Sequence, residues 1–243
     1  MNYTLSLSTL VGALVASIFP ITSVAQTQSR IVVTDVKPDM LYDWLSLQQT
    51  EVLPALKKAG VRTQTVYSSG VFGRAGEYVT VQPLPSMADF DGPNPLVRVL
   101  GQPGAARLNE RTRRYVNSQL AYMSTRWDDA SNITDTPPNV LVAARYRLAP
   151  GKAAEVREII RSEVLPVYKK GKVYLAVNAR GPGANPNDIT MITGFSKYAD
   201  WDGGPYLTRA LGAAEAAKIN ARMNSMRTLI EVVVRQRVAD LSF

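Results

Sequence analysis

β-Branched and aliphatic residues gather in short runs between stretches with helical periodicity, and the same succession occurs twice along the chain. Ile31-Val32-Val33-Thr34-Asp35-Val36 reads as a strand that Pro38 ends. From Asp39 the apolar positions take a helical spacing, with Leu41, Trp44, Leu45, Val52, Leu53 and Leu56 on one face. Strands at Arg62–Tyr67 and Glu77–Gln82 follow, joined by a loop at Ser69–Gly76. An Asp91-Gly92 turn then feeds a helical region containing Gly101, and a last strand covers Leu120–Trp127. The second half offers strands at Val140–Leu148, Val173–Asn178, Asp188–Thr193 and Ile230–Val238, with a helix after the first and another, containing Gly212, before the last.

The two halves also align residue by residue. EVLPALKKAGV from Glu51 returns as EVLPVYKKGKV from Glu163, 112 residues later. FDGPNPLVRVLG from Phe90 returns as WDGGPYLTRALG from Trp201, and LNER from Leu108 as INAR from Ile219, both 111 residues later. The one-residue change of offset is expected within the β-hairpin region, where length changes cost little. Pro54 and Pro166 interrupt the first helix of each half and remove its bond to the carbonyl of Thr50 or Ser162, so both halves should share a kink. A repeat this long that occurs only twice is a doubled domain rather than a solenoid.

The order β-α-β-β-α-β, twice, is the split-βαβ arrangement. Helices on one face of a four-stranded sheet leave the other face bare, and two copies can bury those faces against each other. The expected fold is α+β: two tandem ferredoxin-like repeats, 30–131 and 140–243, joined by a linker at 132–139 and paired sheet to sheet. The chain from about Arg30 to Phe243 therefore resembles the dimeric α/β-barrel superfamily, in particular tandem members akin to the NIPSNAP and antibiotic-biosynthesis-monooxygenase groups. The resemblance rests on element order, the helix end at Leu53–Gly60 and the Asp-Gly regions, so it implies architecture more than chemistry.

Composition then narrows the chemistry. The 243 residues contain neither histidine nor cysteine, which excludes histidine-based triads, thiolate nucleophiles, histidine-ligated zinc and a histidine-bound haem. No metal site and no cofactor is expected. The net charge of +8 favours anions, but the basic residues are scattered and form no nucleic-acid stripe. Residues 1–25 have the form of a secretory signal: an apolar run from Leu10 to Phe19, then Ser23-Val24-Ala25 before Gln26, although the leading segment lacks Lys and Arg. Secretion or periplasmic export is expected, with no membrane association after cleavage.

Alternation predicts which side chains enter the space between the sheets. If the helices cover Val140, Val142, Ala144, Tyr146 and Leu148, the inner face receives Arg145 and Arg147, then Arg235, Arg237 and Glu231 from the last strand. Repeat register adds Asp35 and Arg126. Arg145, Arg147, Arg235, Arg237, Asp35 and Arg126 are thus the candidate ligand-binding residues, suited to a small anionic or aromatic acid. Pairing of Arg147 with Asp35 and Arg235 with Glu231 is the structural alternative. Arg98 and Arg209, seven residues after Asp91 and Asp202, recur in both halves and read as part of the common fold. No catalytic residue is named. The leading expectation is an exported small-molecule-binding or interaction protein, monomer or homodimer. The other is a cofactor-independent oxygenase or isomerase, which needs no histidine when a Tyr, Asp or Arg suffices.

Overall fold

Eight antiparallel strands close into one barrel in the order β1-β3-β2-β8-β5-β7-β6-β4 in the computed structural model, which describes residues 27–243. The first half supplies β1 (Gln28–Val36), β2 (Thr65–Phe72), β3 (Glu77–Pro83) and β4 (Val116–Arg126). The second supplies β5 (Val140–Leu148), β6 (Tyr174–Arg180), β7 (Asp188–Phe195) and β8 (Arg227–Arg237). Seams β2–β8 and β4–β6 join the halves, so the barrel closes with no strand left at an edge. The expected leader at 1–25 lies outside the described residues.

Helices α1 (Leu41–Leu47), α2 (Leu53–Lys58) and α3 (Pro95–Arg114) cover the first half. Helices α4 (Ala153–Ile159), α5 (Leu165–Lys170), α6 (Tyr206–Leu211) and α7 (Ala213–Asn224) cover the second. The expected kinks are π-helical turns, Gln48–Val52 and Ile160–Val164, just ahead of Pro54 and Pro166. Thr50 and Ser162 each donate their hydroxyl, at 2.7 Å, to the carbonyl four residues back, Ser46 and Glu158.

Packing fixes which face of each strand looks outward. Tyr146, Leu148, Leu175, Val177 and Ile189 pack with Val156, Ile160, Ile219 and Met223 of the helical layer. The alternate positions of β5, Leu141, Ala143, Arg145 and Arg147, therefore face the barrel lumen.

The halves are also clasped by exchanged tails. After β4, Trp127 donates to the Val177 carbonyl, Ser131 accepts from the Val177 N–H, and Asn132 exchanges bonds of 2.8 and 2.9 Å with Leu175. After β8, Val238 donates to Val66, Ser242 accepts from Val66, and Phe243 exchanges bonds of 2.7 and 2.8 Å with Gln64. Each tail is thus fastened to the other half, and Asn132, the first residue of the expected linker, is the counterpart of Phe243.

Two local expectations change. Thr65 pairs with Val81 as Ala176 pairs with Ile192, so the change of offset lies between α2 and β2 and not in the hairpin. The expected loop at Ser69–Gly76 is shorter, because β2 runs on to Phe72, which reaches Val234 of β8 past an irregularity.

Candidate functional site

Arg145, Arg147, Arg235, Arg237, Asp35 and Arg126 all lie on lumen-facing strand positions, but they do not converge. Arg147 and Asp35 are at the end of the barrel where β5 and β1 finish; Arg126 and Arg237 are at the other end, where β4 and β8 finish. Arg145 and Arg147 meet on Asp188 at the start of β7, a carboxylate only 2% exposed. Arg147 donates to it through Nε and, at 3.2 Å, through Nη2, and Arg145 adds a bond at 3.3 Å. Arg145 also holds Glu231 at 2.8 Å, and Arg235 holds Glu77 of β3 at 2.8 Å. Arg126 bonds Asp128 at 2.5 Å and the Thr27 hydroxyl at 3.0 Å.

These pairings replace the expected ones: Arg147 binds Asp188 rather than Asp35, and Arg235 binds Glu77 rather than Glu231. The physical reason is register. Arg147 lies directly opposite Asp188 in the β5–β7 ladder, whereas Asp35 lies opposite Glu77 and Ser118 and takes only a long contact from Asn117. Burial alone would raise the Asp188 carboxyl, but its bond from Arg147 and the charges of Arg147, Arg145 and Arg180 hold it below the ordinary carboxylate value. The lumen is therefore filled by side chains, as an eight-stranded barrel requires: an apolar cluster of Ile31, Val79 and Tyr122, and these ion pairs.

A cleft of about 450 Å³ opens instead at the rim of the barrel, where the linker residues 134–139 form one wall. Lys172, Tyr174, Phe195, Asp200, Tyr206 and Arg209 also line it. The linker closes the barrel mouth beside it: the Pro138 carbonyl accepts from the Tyr67 hydroxyl at 3.3 Å. Gly194 leaves room for the proline, since a Cβ there would stand 2.5 Å from Pro138 Cγ. Burial raises the phenol of Tyr174, and that of Tyr67 more strongly, so both remain neutral hydroxyls.

The cleft carries two cations without carboxylate partners among the described residues. Arg209 donates at 2.9 Å to the Asp200 carbonyl and lies over the Tyr206 ring, 5.7 Å from its centroid. The Asp200 carboxylate is occupied with the N–H groups of Ser196 and Lys197, both at 3.1 Å. Arg209 thus satisfies a local carbonyl rather than the Asp202 carboxylate.

The two halves differ at this corner. Helix α2 ends Lys57-Lys58-Ala59-Gly60, and Gly60 takes the left-handed conformation, φ 85°, that ends many helices. Helix α5 ends Lys169-Lys170-Gly171-Lys172, so the glycine has moved back one place and Lys172 occupies the left-handed position at φ 53°. Lys172 is the one non-glycine residue with positive φ among the described residues. Gly171 has ordinary helical angles, and its lack of a side chain serves another purpose. A Cβ there would overlap the Tyr206 hydroxyl and stand 2.7 Å from its Cζ. The first half has Pro95 at the position of Tyr206, and Ala59 faces no phenol. The halves therefore differ here at Gly171, Lys172 and Tyr206, and the first and last of these fit each other sterically. The aligned sequences KKAG and KKGK carried that signal, but its meaning required knowing that Tyr206 packs on the end of α5.

No family model and no curated protein matches the chain. Solved structures do match. A candidate monooxygenase from Lactobacillus acidophilus is 9% identical, with a TM-score of 0.58 over 89% of this chain and 95% of that one. A candidate monooxygenase from Fusobacterium nucleatum is 11% identical, with a TM-score of 0.55 over 88% and 93%. An anthrone oxidase-like protein is 11% identical, with a TM-score of 0.55 over 88% and 91%. At such identities the likeness establishes the fold, and the fold is the ferredoxin-like dimeric α/β barrel, closed here within a single chain.

Proposed function

We propose that the protein is a non-catalytic binder of a small organic acid, aromatic or aliphatic, held in the cleft by Lys172 and Arg209 with Tyr206, Tyr174 and Phe195 against its apolar part. The observation that carries this reading is the strained Lys172. A left-handed non-glycine residue costs about 1–2 kcal/mol, and the first half shows that the fold accepts glycine there. Retaining a lysine at that cost, beside an arginine with no carboxylate partner, favours a ligand with an anionic group. Apolar side chains with a few placed polar groups are the usual lining of a small-molecule site. The reading includes export, supported by the apolar run Leu10–Phe19 and the Ser23-Val24-Ala25 ending.

This moves the expected anion site from Arg145, Arg147 and Arg235 to the barrel rim, because Asp188, Glu231 and Glu77 already supply anions to those three. Calorimetry and thermal shift with benzoate, salicylate and short aliphatic acids test it. At least one acid should bind, and Arg209→Ala and Lys172→Met should each weaken it by about tenfold, a conservative value for one charge-assisted bond. Arg147→Leu should leave affinity unchanged. Absence of binding by any of these acids, or binding that follows Arg147 and ignores Arg209, would overturn the assignment.

A second reading, cofactor-free oxygenation of an aromatic substrate, draws on the Tyr206–Arg209 pair in the same cleft, in keeping with the anthrone oxidase-like neighbour. Dioxygen uptake on adding a phenolic substrate, abolished in Tyr206→Phe, would replace the binding role with this one.

A further inference from the structure

We infer that a second copy of this chain adds its own β8 to β8, antiparallel and across a two-fold axis, along Thr228–Val233. Each strand of the barrel has two neighbours, but β8 outruns one of them. On the β5 side it is paired from Arg227 to Gln236. On the β2 side Tyr67 lies opposite Arg237, Ser68 opposite Gln236 and Phe72 opposite Val234, and there the pairing stops. From Val233 back to Thr228 this side of the strand is open, with no backbone hydrogen bond from any other described residue. Thr228 to Val232 are exposed in succession.

The open stretch is apolar on its outer face. Val232 lies opposite Ala144 and Leu229 opposite Tyr146, which faces the helical layer, and Ile230 is the extra residue of a bulge between them. Leu229, Ile230 and Val232 are 52%, 41% and 51% exposed, and Phe72, at the end of β2, is 61% exposed. Glu231 is the only charged residue of the stretch, and Arg145 holds it at 2.8 Å. Strand edges that stay free are commonly guarded by lysine or proline, and Thr228–Val233 contains neither.

The other seam shows how the same overhang is closed and guarded. By repeat register β4 exposes residues 117–121 beyond its pairing with β6. There the β6–β7 loop runs along the strand. Gly181 donates to the Met123 carbonyl at 2.8 Å, and Met123, the counterpart of Val234, donates to that of Pro182 at 2.9 Å. Gly183 then comes so near the Ala121 carbonyl that a Cβ would not fit. What stays open begins Asn117-Ser118-Gln119, which is polar, where β8 has Thr228-Leu229-Ile230. The β2–β3 loop gives β8 no such cover, because it is fastened to Val36 through the Gly76 carbonyl.

Symmetry and charge identify the occupant. An open edge takes an extended strand through its alternate N–H and C=O groups, here over about 20 Å. A two-fold axis normal to the sheet sets the same six residues of two copies antiparallel, so donors meet acceptors and both apolar outer faces lie side by side. Glu231 is neutralised by Arg145 within each copy and adds no repulsion between them. The contact continues, between copies, the antiparallel seam that β8 makes with β2 within one.

The test is sedimentation of the purified protein over a range of concentrations, with amide hydrogen exchange followed at the same concentrations. The expected result is a reversible monomer–dimer equilibrium in which amides within 228–233 become protected as the dimer forms. Val232→Lys places a charge on the shared face of both copies and should weaken the dimer by roughly tenfold or more while Tm is kept. Ala121→Lys, at the counterpart position on β4, should leave the equilibrium unchanged. A monomer at every concentration overturns the inference and leaves the edge to an extended segment of another protein. A dimer that Val232→Lys does not weaken, or whose 228–233 amides exchange as fast as in the monomer, overturns it equally. If Val232→Lys does not fold, exchange in the wild type decides alone.

Discussion

Replacing Lys172 with glycine should make the protein more stable and a poorer binder at once. The residue sits at φ 53°, where an L side chain costs about 1–2 kcal/mol relative to the right-handed region. Glycine removes that cost but returns about 0.4–1 kcal/mol through the greater freedom of the unfolded chain. The net gain is therefore about 0.5–1 kcal/mol, or roughly 1–4 °C in Tm for a chain of this size. Affinity for an acid should fall by about tenfold, because Lys172 supplies one of the two unpartnered cations of the cleft. Lys172→Met separates the effects: it keeps the strain and loses the charge, so affinity should fall while Tm stays within about 1 °C, the usual range for an exposed substitution. Differential scanning calorimetry with and without the acid found in the binding screen gives both quantities. A rise in Tm for Lys172→Gly with undiminished affinity would refute the link between strain and ligand. A fall in Tm would refute the strain itself.

Asp188→Asn should cost about 1–3 kcal/mol, since it puts a neutral amide beside Arg145 and Arg147, which remain partly solvated; chemical denaturation measures it, and unchanged stability would contradict the Asp188 ion pairs. The same group sets an acid limit. Its folded pKa is depressed, so its contribution is fully present above the unfolded value of about 3.9 and is lost as pH falls through the folded value. Wild-type stability should therefore decline below about pH 4 more steeply than that of Asp188→Asn, and parallel slopes would contradict this. Gly171→Ala should destabilise by about 1–3 kcal/mol through overlap with Tyr206, and the loss should largely vanish when Tyr206→Ala is combined with it; additive effects would deny the contact. Segments 27–132 and 133–243 expressed separately should aggregate or self-associate, because each loses both seams and the tail that clasps it, and a folded monomer of either would count against the intrachain pairing. N-terminal sequencing of exported protein should begin at Gln26; material still beginning at Met1 would contradict the leader assignment.

Much of the barrel was legible because two periodicities do not interfere. Period-two alternation told the helix-packed face of β5, carrying Tyr146 and Leu148, from the face carrying Arg145 and Arg147, did the same for β8, and repeat register carried this to β1 and β4. The partners of those arginines were not legible. Asp188 and Glu77 are first residues of their strands, and which arginine each meets depends on cross-strand register, which alternation within one strand does not fix. Arg180 was lost for a related reason: β6 was expected to end at Asn178, two residues short of it. The cleft was hidden more deeply, because its walls come from the linker, the end of α5 and the start of α6.

Duplication explains why the informative residues are those that break the repeat. Positions kept in both halves serve what both halves do: the prolines after the π-helical turns, the hydroxyls of Ser131 and Ser242 in the tail clasp, and Gly101 and Gly212 at φ 69° and 82°. By sequence Arg98 and Arg209 belong to that set, yet only Arg209 borders the cleft, whose other wall is the linker. The first half keeps the cheaper solution at the corresponding corner, with Gly60 in the left-handed position and no phenol above Ala59. The second half departs from it at three neighbouring positions: Tyr206 packs edge-on against Tyr168, Gly171 makes room for that ring, and Lys172 alone takes a costlier backbone conformation. A backbone cost borne by one exposed lysine in one copy, where the other copy has glycine, is the mark expected of a residue retained for binding rather than for folding.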